Sequence, residues 1–170
     1  MVSRLQREQI KSLVYQIPIF MTTLANDITS TFGQILASLA EKEKTVISRR
    51  IGLEWERETL QEIGDTYGIT RERVRQIEDV GIKKIGRIMR TSSLMAIQES
   101  GEKLLKMHGG VMTRDRLISA IVADIGVQGN MNMNIIDVLL QADFNLQRSK
   151  PQLGTNTYFH FPEVSKKLIE

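Results

Sequence analysis

One stretch of this chain, from Thr59 to residue 77, constrains the fold more than any other, because it places a tight turn between two helical patterns. Its sequence is TLQEIGDTYGITRERVRQI. Thr59 and Glu62 have the T-x-x-E spacing of a capping box, which predicts that a helix begins here. Gly68 then interrupts the pattern with the residue that most readily adopts a positive φ. Thr70 can cap a second helix, so the stretch predicts a helix, a glycine turn and a second helix.

The second of these helices is predicted to be amphipathic, and it continues without glycine or proline as far as Gly81. At about 100° per residue, one apolar stripe would pack on the preceding helices; it consists of Val74, Ile77, Gly81, Ile85 and Ile88. The opposite face carries polar residues in its first two turns, among them Arg71, Glu72, Arg75 and Gln76. Arginine, glutamine and glutamate side chains can read guanine, adenine and cytosine edges. The pattern therefore favours DNA binding over an ordinary solvated helix face.

The distribution of charge supports this interpretation more than the total charge does. The 170-residue chain has a formal net charge of +3. Residues 70–90 contain seven basic and three acidic side chains, whereas residues 91–170 contain eight of each. The surplus therefore lies on the predicted second helix and its continuation, as a phosphate-contacting surface requires.

Composition argues against several other classes of protein. A hydrophobic content of 41% and a charged content of 25% are ordinary for a globular protein. The chain has no cysteine, no run of about 18 apolar residues and no apolar signal-peptide core. It also lacks a phosphate-binding loop, a nucleophile-elbow motif and histidines at metal-ligand spacing. We therefore predict a cytoplasmic, non-enzymatic protein with no cofactor, no metal site and no membrane span.

The strings TLQEIGDTYG and ITRERVRQIE resemble the helix-turn-helix of region 4 in sigma-70-type bacterial sigma factors. The resemblance extends upstream through LASLAEKEKTVISRRIGL and covers roughly residues 30 to 90. Members of that family bind RNA polymerase and use this helix to read the −35 promoter element. The resemblance implies a bacterial, nucleoid-associated protein whose partners are promoter-like double-stranded DNA and RNA polymerase.

The resemblance also assigns roles to individual side chains. Base edges are expected to be read by Arg71, Glu72, Arg75 and Gln76. The DNA backbone is expected to be contacted by Arg50, Leu60, Thr70, Arg73, Lys83 and Lys84. The sequence departs from the family after Glu78, since Val80 stands where a lysine is usual. Gly81 and Gly86 each weaken the helix by about 1 kcal/mol relative to alanine, so we expect phosphate contacts mainly near its N-terminus.

A second pattern follows the polar break Thr91-Ser92-Ser93. It consists of three helical stretches and two strand-like runs, 143–148 and 155–161, which flank SKPQLG and suit a hairpin. This is the order of a winged helix, and GEKLLKMHGGVMTRDRLISAI with the later FHF is similar to the HARE-HTH group. That group includes the amino-terminal domain of the RNA polymerase delta subunit. The predicted fold is mainly α: a helix-turn-helix domain resembling sigma region 4 and a C-terminal winged-helix domain with a small β-hairpin.

Three segments are predicted: a helical extension at 1–29, the DNA-binding domain at 30–90 and the winged helix at 94–170. Separate helices are expected at 3–16, 19–30 and 31–40. The third helix of the winged helix, NMNIIDVLLQ, has no basic residue, so contact with protein is favoured over contact with DNA for this domain. The alternative is contact with the DNA backbone through Arg114, Arg116, Arg148 and Lys150. The protein contact is placed on the exposed side of Asn134, Asp137 and Gln141, with the hairpin tip at residues 150–154. Trp55, the only tryptophan, is expected to cap the small core, and the alternative is an exposed partner contact.

The leading hypothesis is a sequence-specific DNA-binding transcription protein that resembles a sigma factor in recognising a −35-type promoter element. Sigma factors also contain a region 2, and nothing in this sequence resembles that region. The alternative is a protein-interaction adaptor that associates with RNA polymerase and contacts DNA only secondarily. The sequence gives no prediction of the target site, of activation against repression, or of oligomeric state.

Overall fold

The structure is a computed structural model that describes residues 27–127, 131–150 and 156–164. The predicted helix at 3–16 and most of the extension at 1–29 lie outside the described residues. Within the described ranges the helices are α1 (described over 27–37), α2 (Glu41–Ile51), α3 (Leu60–Tyr67), α4 (Arg71–Met89), α5 (Met95–Met107), α6 (Arg114–Asp124) and α7 (Met133–Gln141). The strands in the same ranges are β1 (Val111–Thr113), β2 (Gln147–Arg148) and β3 (Tyr158–His160). None of these helices is long and apolar enough to cross a membrane.

Helix α1 differs from its prediction, because it continues through residues 30 and 31, where two separate helices were expected to meet. Ile28 and Phe32 are both buried, and four residues apart they lie on one face of the same helix. The predicted boundary between residues 29 and 30 therefore falls inside α1.

The predicted turn between α3 and α4 is confirmed in its capping interactions. Thr59 accepts a hydrogen bond from the Glu62 backbone at 3.2 Å, and the Glu62 side chain accepts one from the Thr59 N–H at 2.6 Å. Gly68 ends α3 with a φ of 62°. Thr70 then caps α4 by accepting a hydrogen bond from the Arg73 N–H at 3.2 Å. These caps fix the angle at which α4 leaves the turn.

Two apolar clusters hold α4 in place. A small one joins α2, α3 and the start of α4 through the buried side chains Val46, Ile63 and Val74. Further along α4, the buried positions are Gly81, Ile82, Ile85, Gly86 and Met89. The expected burial of Ile88 is wrong, since this side chain is exposed. The buried face rotates around the second half of α4 because the helix there contacts α7 instead of α3.

The main core is continuous across the break at residues 91–93. Phe32 and Ile85 from one side belong to the same buried cluster as Leu139 and Phe159 from the other. Hydrogen bonds add to this contact, because the side-chain amides of Asn132 and Asn134 both donate to the Ile51 carbonyl at 3.0 Å. The segments 30–90 and 94–170 are therefore packed directly against each other.

The C-terminal segment contains a three-stranded antiparallel sheet in the order β1-β3-β2. Met112 pairs with Phe159 in β1 and β3, and Gln147 pairs with His160 in β2 and β3. The predicted pair β2 and β3 is present but shorter than expected, and β1 was not predicted. The turn residues 151–155 lie outside the described ranges.

Candidate nucleic-acid interface

The first two turns of α4 present a polar face to solvent. Val74 is wholly buried beneath this face, which fixes the rotation of the helix. The predicted base-reading residues are all exposed and lie within six positions of the cap; they are Arg71, Glu72, Arg75 and Gln76. Their placement agrees with the expected geometry, and their contact with bases stays a prediction.

Hydrogen bonds connect several of these side chains. Arg75 donates to Glu72 from Nε at 2.9 Å and from Nη2 at 2.7 Å, and to Asp79 from Nη1 at 2.6 Å. Arg73 Nη1 donates to Gln76 Oε1 at 3.1 Å. The bond from Arg75 lowers the pKa of Glu72 from its ordinary value, so this carboxyl remains ionised near neutral pH. The face therefore carries arginine side chains bonded to acidic and amide side chains, and it is not a purely basic surface.

Two of the predicted backbone-contacting cations are engaged in contacts within the protein. Arg50 Nε donates to Glu78 Oε1 at 3.0 Å, which links α2 to α4. Lys84 Nζ donates to both carboxylate oxygens of Glu43, at 2.7 and 2.9 Å. Lys83, by contrast, is exposed and has no ion pair among the described residues. Arg50 and Lys84 therefore link α4 to α2.

Of the other three backbone candidates, Arg73 is exposed on the first turn of α4, and Thr70 and Leu60 lie at helix starts. The hydroxyl of Thr70 is used as the cap of α4. Leu60 is the first residue of α3 and is partly buried against the small core. Main-chain N–H groups at a helix start have no partner within the helix, so the backbone of Leu60 suits a phosphate better than its side chain does.

The polar face of α4 borders a cleft of about 1060 Å³ that no local sequence pattern indicated. One wall belongs to the helix-turn-helix and includes Arg50, Arg57, Leu60, Arg71 and Arg75. The opposite wall belongs to the C-terminal segment and includes Asn134, Gln141, Arg148, Ser149 and Lys150. Two of the four predicted reading residues, Arg71 and Arg75, therefore line a composite site formed by both segments.

The prediction of an exposed contact face on α7 is wrong for Asp137. This residue is 4% exposed, and its Oδ1 lies 3.1 Å from Arg114 Nε and 3.4 Å from Arg148 Nε. Asn134 is also engaged, since it accepts a hydrogen bond from Arg114 at 3.0 Å besides donating to α2. Of the three predicted contact residues, Gln141 alone retains an unengaged side chain within the described structure. The reason is that α7 packs against four other helices, α2, α4, α5 and α6.

Trp55 does not cap the small core as expected, because it is 77% exposed. It lines a depression of about 520 Å³ together with Tyr67, Arg49 and Glu58. Tyr67 is exposed as well, and the Arg49 guanidinium lies 5.4 Å from the centre of its ring. The alternative for Trp55, contact with a partner, stays a prediction.

Comparison with known proteins identifies one part of the chain. Residues 35–86 match the family described as Sigma-70, region 4, which confirms the resemblance for α2, α3 and most of α4. The chain is 45% identical over 75 residues to the RNA polymerase sigma factor RpoD of Helicobacter pylori strain ATCC 700392 / 26695, and equally to that of strain J99 / ATCC 700824. Each match covers 39% of this chain and 11% of the relative's length. No solved structure matches the chain significantly. The similarity to HARE-HTH winged helices stays a prediction.

Proposed function

We propose that this chain is a non-enzymatic, sequence-specific DNA-binding transcription protein that uses α4 to read a −35-type promoter element. One observation carries the proposal. The cap at Thr70 and the buried Val74 orient α4 so that Arg71, Glu72, Arg75 and Gln76 face outwards, within the region that matches sigma-70 region 4.

In this proposal the first two turns of α4 enter the major groove. Arginine would pair with guanine, Gln76 with adenine, and Glu72 would accept a hydrogen bond from the cytosine amino group. Arg75 has to exchange its bond with Glu72 or Asp79 for one with DNA. Because these ion pairs lie at the surface, where water already competes for them, the exchange costs little free energy.

The C-terminal segment is proposed to be a winged helix. The element order α5-β1-α6-α7-β2-β3 and the sheet order β1-β3-β2 support this proposal. RNA polymerase is proposed as a partner because the matched relatives are RNA polymerase sigma factors. A bacterial cytoplasmic location, associated with the nucleoid, follows from the same proposal.

A second candidate function is favoured by the exposed pair Trp55 and Tyr67. Large exposed aromatic side chains are typical anchors of protein interfaces. In this alternative the chain is an adaptor that associates with RNA polymerase through that depression, and its DNA contact is secondary.

A salt titration tests the DNA-binding proposal. We expect the full chain to bind a duplex with a −35-type element more tightly than a scrambled duplex, and to lose affinity as salt rises. Arg73→Gln should flatten the slope of log affinity on log salt by about one unit, because one phosphate contact is lost. Lys42→Gln is the matched control, since Lys42 is an exposed cation of α2 and does not belong to α4. Only the salt slope, and not the absolute affinity, is compared, because Arg73 also donates a hydrogen bond to Gln76.

A pull-down with purified RNA polymerase, run beside the titration, separates the two candidates. Capture of polymerase that Trp55→Ala abolishes, together with duplex affinity that does not depend on salt, would favour the adaptor. Salt-dependent, sequence-dependent duplex binding that Trp55→Ala leaves intact would favour DNA recognition.

A further inference from the structure

The cleft beside α4 has a wall outside the region that matches sigma-70 region 4. The match ends at residue 86, whereas this second wall is formed by α7 and by the residues at and after β2, including Arg148, Ser149 and Lys150. Arg71 and Arg75 of α4 line the same cleft. Anything that approaches the reading face of α4 therefore also approaches this part of the C-terminal segment.

Where the structure describes the chain, cationic side chains outnumber acidic ones in the lining of the cleft by six to three. The cationic ones are Arg50, Arg57, Arg71, Arg75, Arg148 and Lys150. Each acidic one has a partner: Glu78 pairs with Arg50, Asp79 with Arg75, and Asp137 with Arg114 and Arg148. Three cations of the lining, Arg57, Arg71 and Lys150, have no ion pair within the described parts of the chain. The cleft is therefore an anion-attracting site that its own carboxylates do not neutralise.

Arg57 is held in a position that favours an incoming anion. Its Nε donates to the Arg50 carbonyl at 3.0 Å, which fixes the guanidinium at the cleft. Partial desolvation, and then repulsion from Arg50, lower the pKa of Arg57 from its ordinary value. The guanidinium nevertheless remains protonated at neutral pH. A cation opposed by its neighbours is stabilised when an anion binds beside it.

The chemistry of the lining fits a phosphate backbone better than a protein surface. Besides the cations, the cleft presents the hydroxyl of Ser149 and the amides of Gln61 and Gln141, which are common phosphate and sugar ligands. Among the described residues its lining contains no aromatic side chain, although aromatic residues are enriched at protein interfaces.

We propose that this cleft is a second phosphate-contacting surface, in which Arg57 and Lys150 contact the backbone of the same duplex whose bases face α4. The inference rests on the proposed function and adds a partner site to it. It assigns part of the DNA backbone contact to Lys150 of the C-terminal segment, which is the alternative that the sequence leaves open beside protein contact. Base reading stays with α4, since neither Arg57 nor Lys150 belongs to that helix.

The test compares the full chain with the double variant Arg57→Gln, Lys150→Gln on the preferred duplex and on a scrambled one. We expect the salt slope to flatten by about two units and the affinity for both duplexes to fall by about tenfold or more at low salt. The ratio of the two affinities should not change, because no base contact is removed. The charge-conserving variant Arg57→Lys, Lys150→Arg should retain the slope.

The matched control is Lys103→Gln, Lys106→Gln, which removes two exposed cations of α5 that do not line the cleft. An unchanged slope in the Arg57, Lys150 variant, with sequence preference intact, would overturn this inference and leave the proposed function standing. A loss of affinity for the preferred duplex alone would also overturn it, because it would indicate base reading. If the unsubstituted chain binds neither duplex, both the inference and the proposed function fail.

Discussion

Replacing Asp137 with asparagine is expected to lower the free energy of unfolding by about 3 kcal/mol. Asparagine keeps the shape of the side chain but removes the charge that lies between Arg114 and Arg148. Breaking a buried ion pair costs about 3–5 kcal/mol, and the partial exposure of the two arginines places this case at the lower end. Urea denaturation followed by circular dichroism measures the difference.

Asp115→Asn is the matched control for this experiment. Asp115 pairs with the same Arg114, at 2.8 Å, but its side chain is 87% exposed. Ion pairs at the surface contribute little, so the control should unfold almost as the unsubstituted chain does. If Asp137→Asn lowered the free energy of unfolding as little as the control does, the Asp137 carboxylate would be a surface group. That result would support the protein contact that the sequence predicts for this residue.

Gly86→Ala is expected to destabilise the protein by about 2–3 kcal/mol, although alanine is the better helix former by about 1 kcal/mol. A Cβ at this position would collide with the carbonyl oxygen of Ala142 and lie 3.4 Å from Phe144 Cε2. The carbonyl belongs to the backbone and cannot rotate away, so α4 and the end of α7 would have to separate. The midpoint of thermal unfolding should fall by roughly 5–10 °C.

Gly33→Ala provides the control, because Gly33 lies in α1 and a Cβ there would meet no atom within 4 Å. This variant should be stabilised by up to about 1 kcal/mol. A similar stabilisation by Gly86→Ala would contradict the close packing of α4 on the end of α7.

The helix-turn-helix could be predicted because its signals are local. The capping box of Thr59 and Glu62, the turn at Gly68 and the cap at Thr70 each involve residues within a few positions of one another. Spacing alone is sufficient to identify such interactions. Once Thr70 was placed as the cap, the helical period determined which side chains of α4 face outwards.

Features that depend on contacts between distant segments could not be predicted in this way. Gly81 and Gly86 suggested a weakened helix, yet a Cβ at Gly81 would lie 2.6 Å from Ile47 Cδ1, so the residue serves close packing. Residues 135–140 of α7 are all buried, so this part of the helix has no exposed face that a sequence pattern could indicate. Charged residues usually lie at the surface, whereas Asp137 is buried because two arginines from other elements, Arg114 of α6 and Arg148 of β2, lie beside it.

The same limit applies to the candidate site. The reading residues of α4 could be named from the sequence, but the engagement of Arg50 by Glu78, 28 residues away, could not. The opposite wall of the cleft depends on how α7 and β2 pack against the helix-turn-helix. No pattern in either segment predicts that Lys150 and Arg71 border one cleft.

Selection of binding sites from a pool of random duplexes tests the central claim, that α4 reads a base sequence, most directly. The account predicts that the full chain enriches one motif. It predicts that the variant Glu72→Ala, Gln76→Ala enriches a motif relaxed at one or more positions. This variant should retain most of its affinity for duplex DNA in general, because a carboxylate does not attract phosphates. Enrichment of no motif by the unsubstituted chain, or of an identical motif by the chain and the variant, would contradict the account.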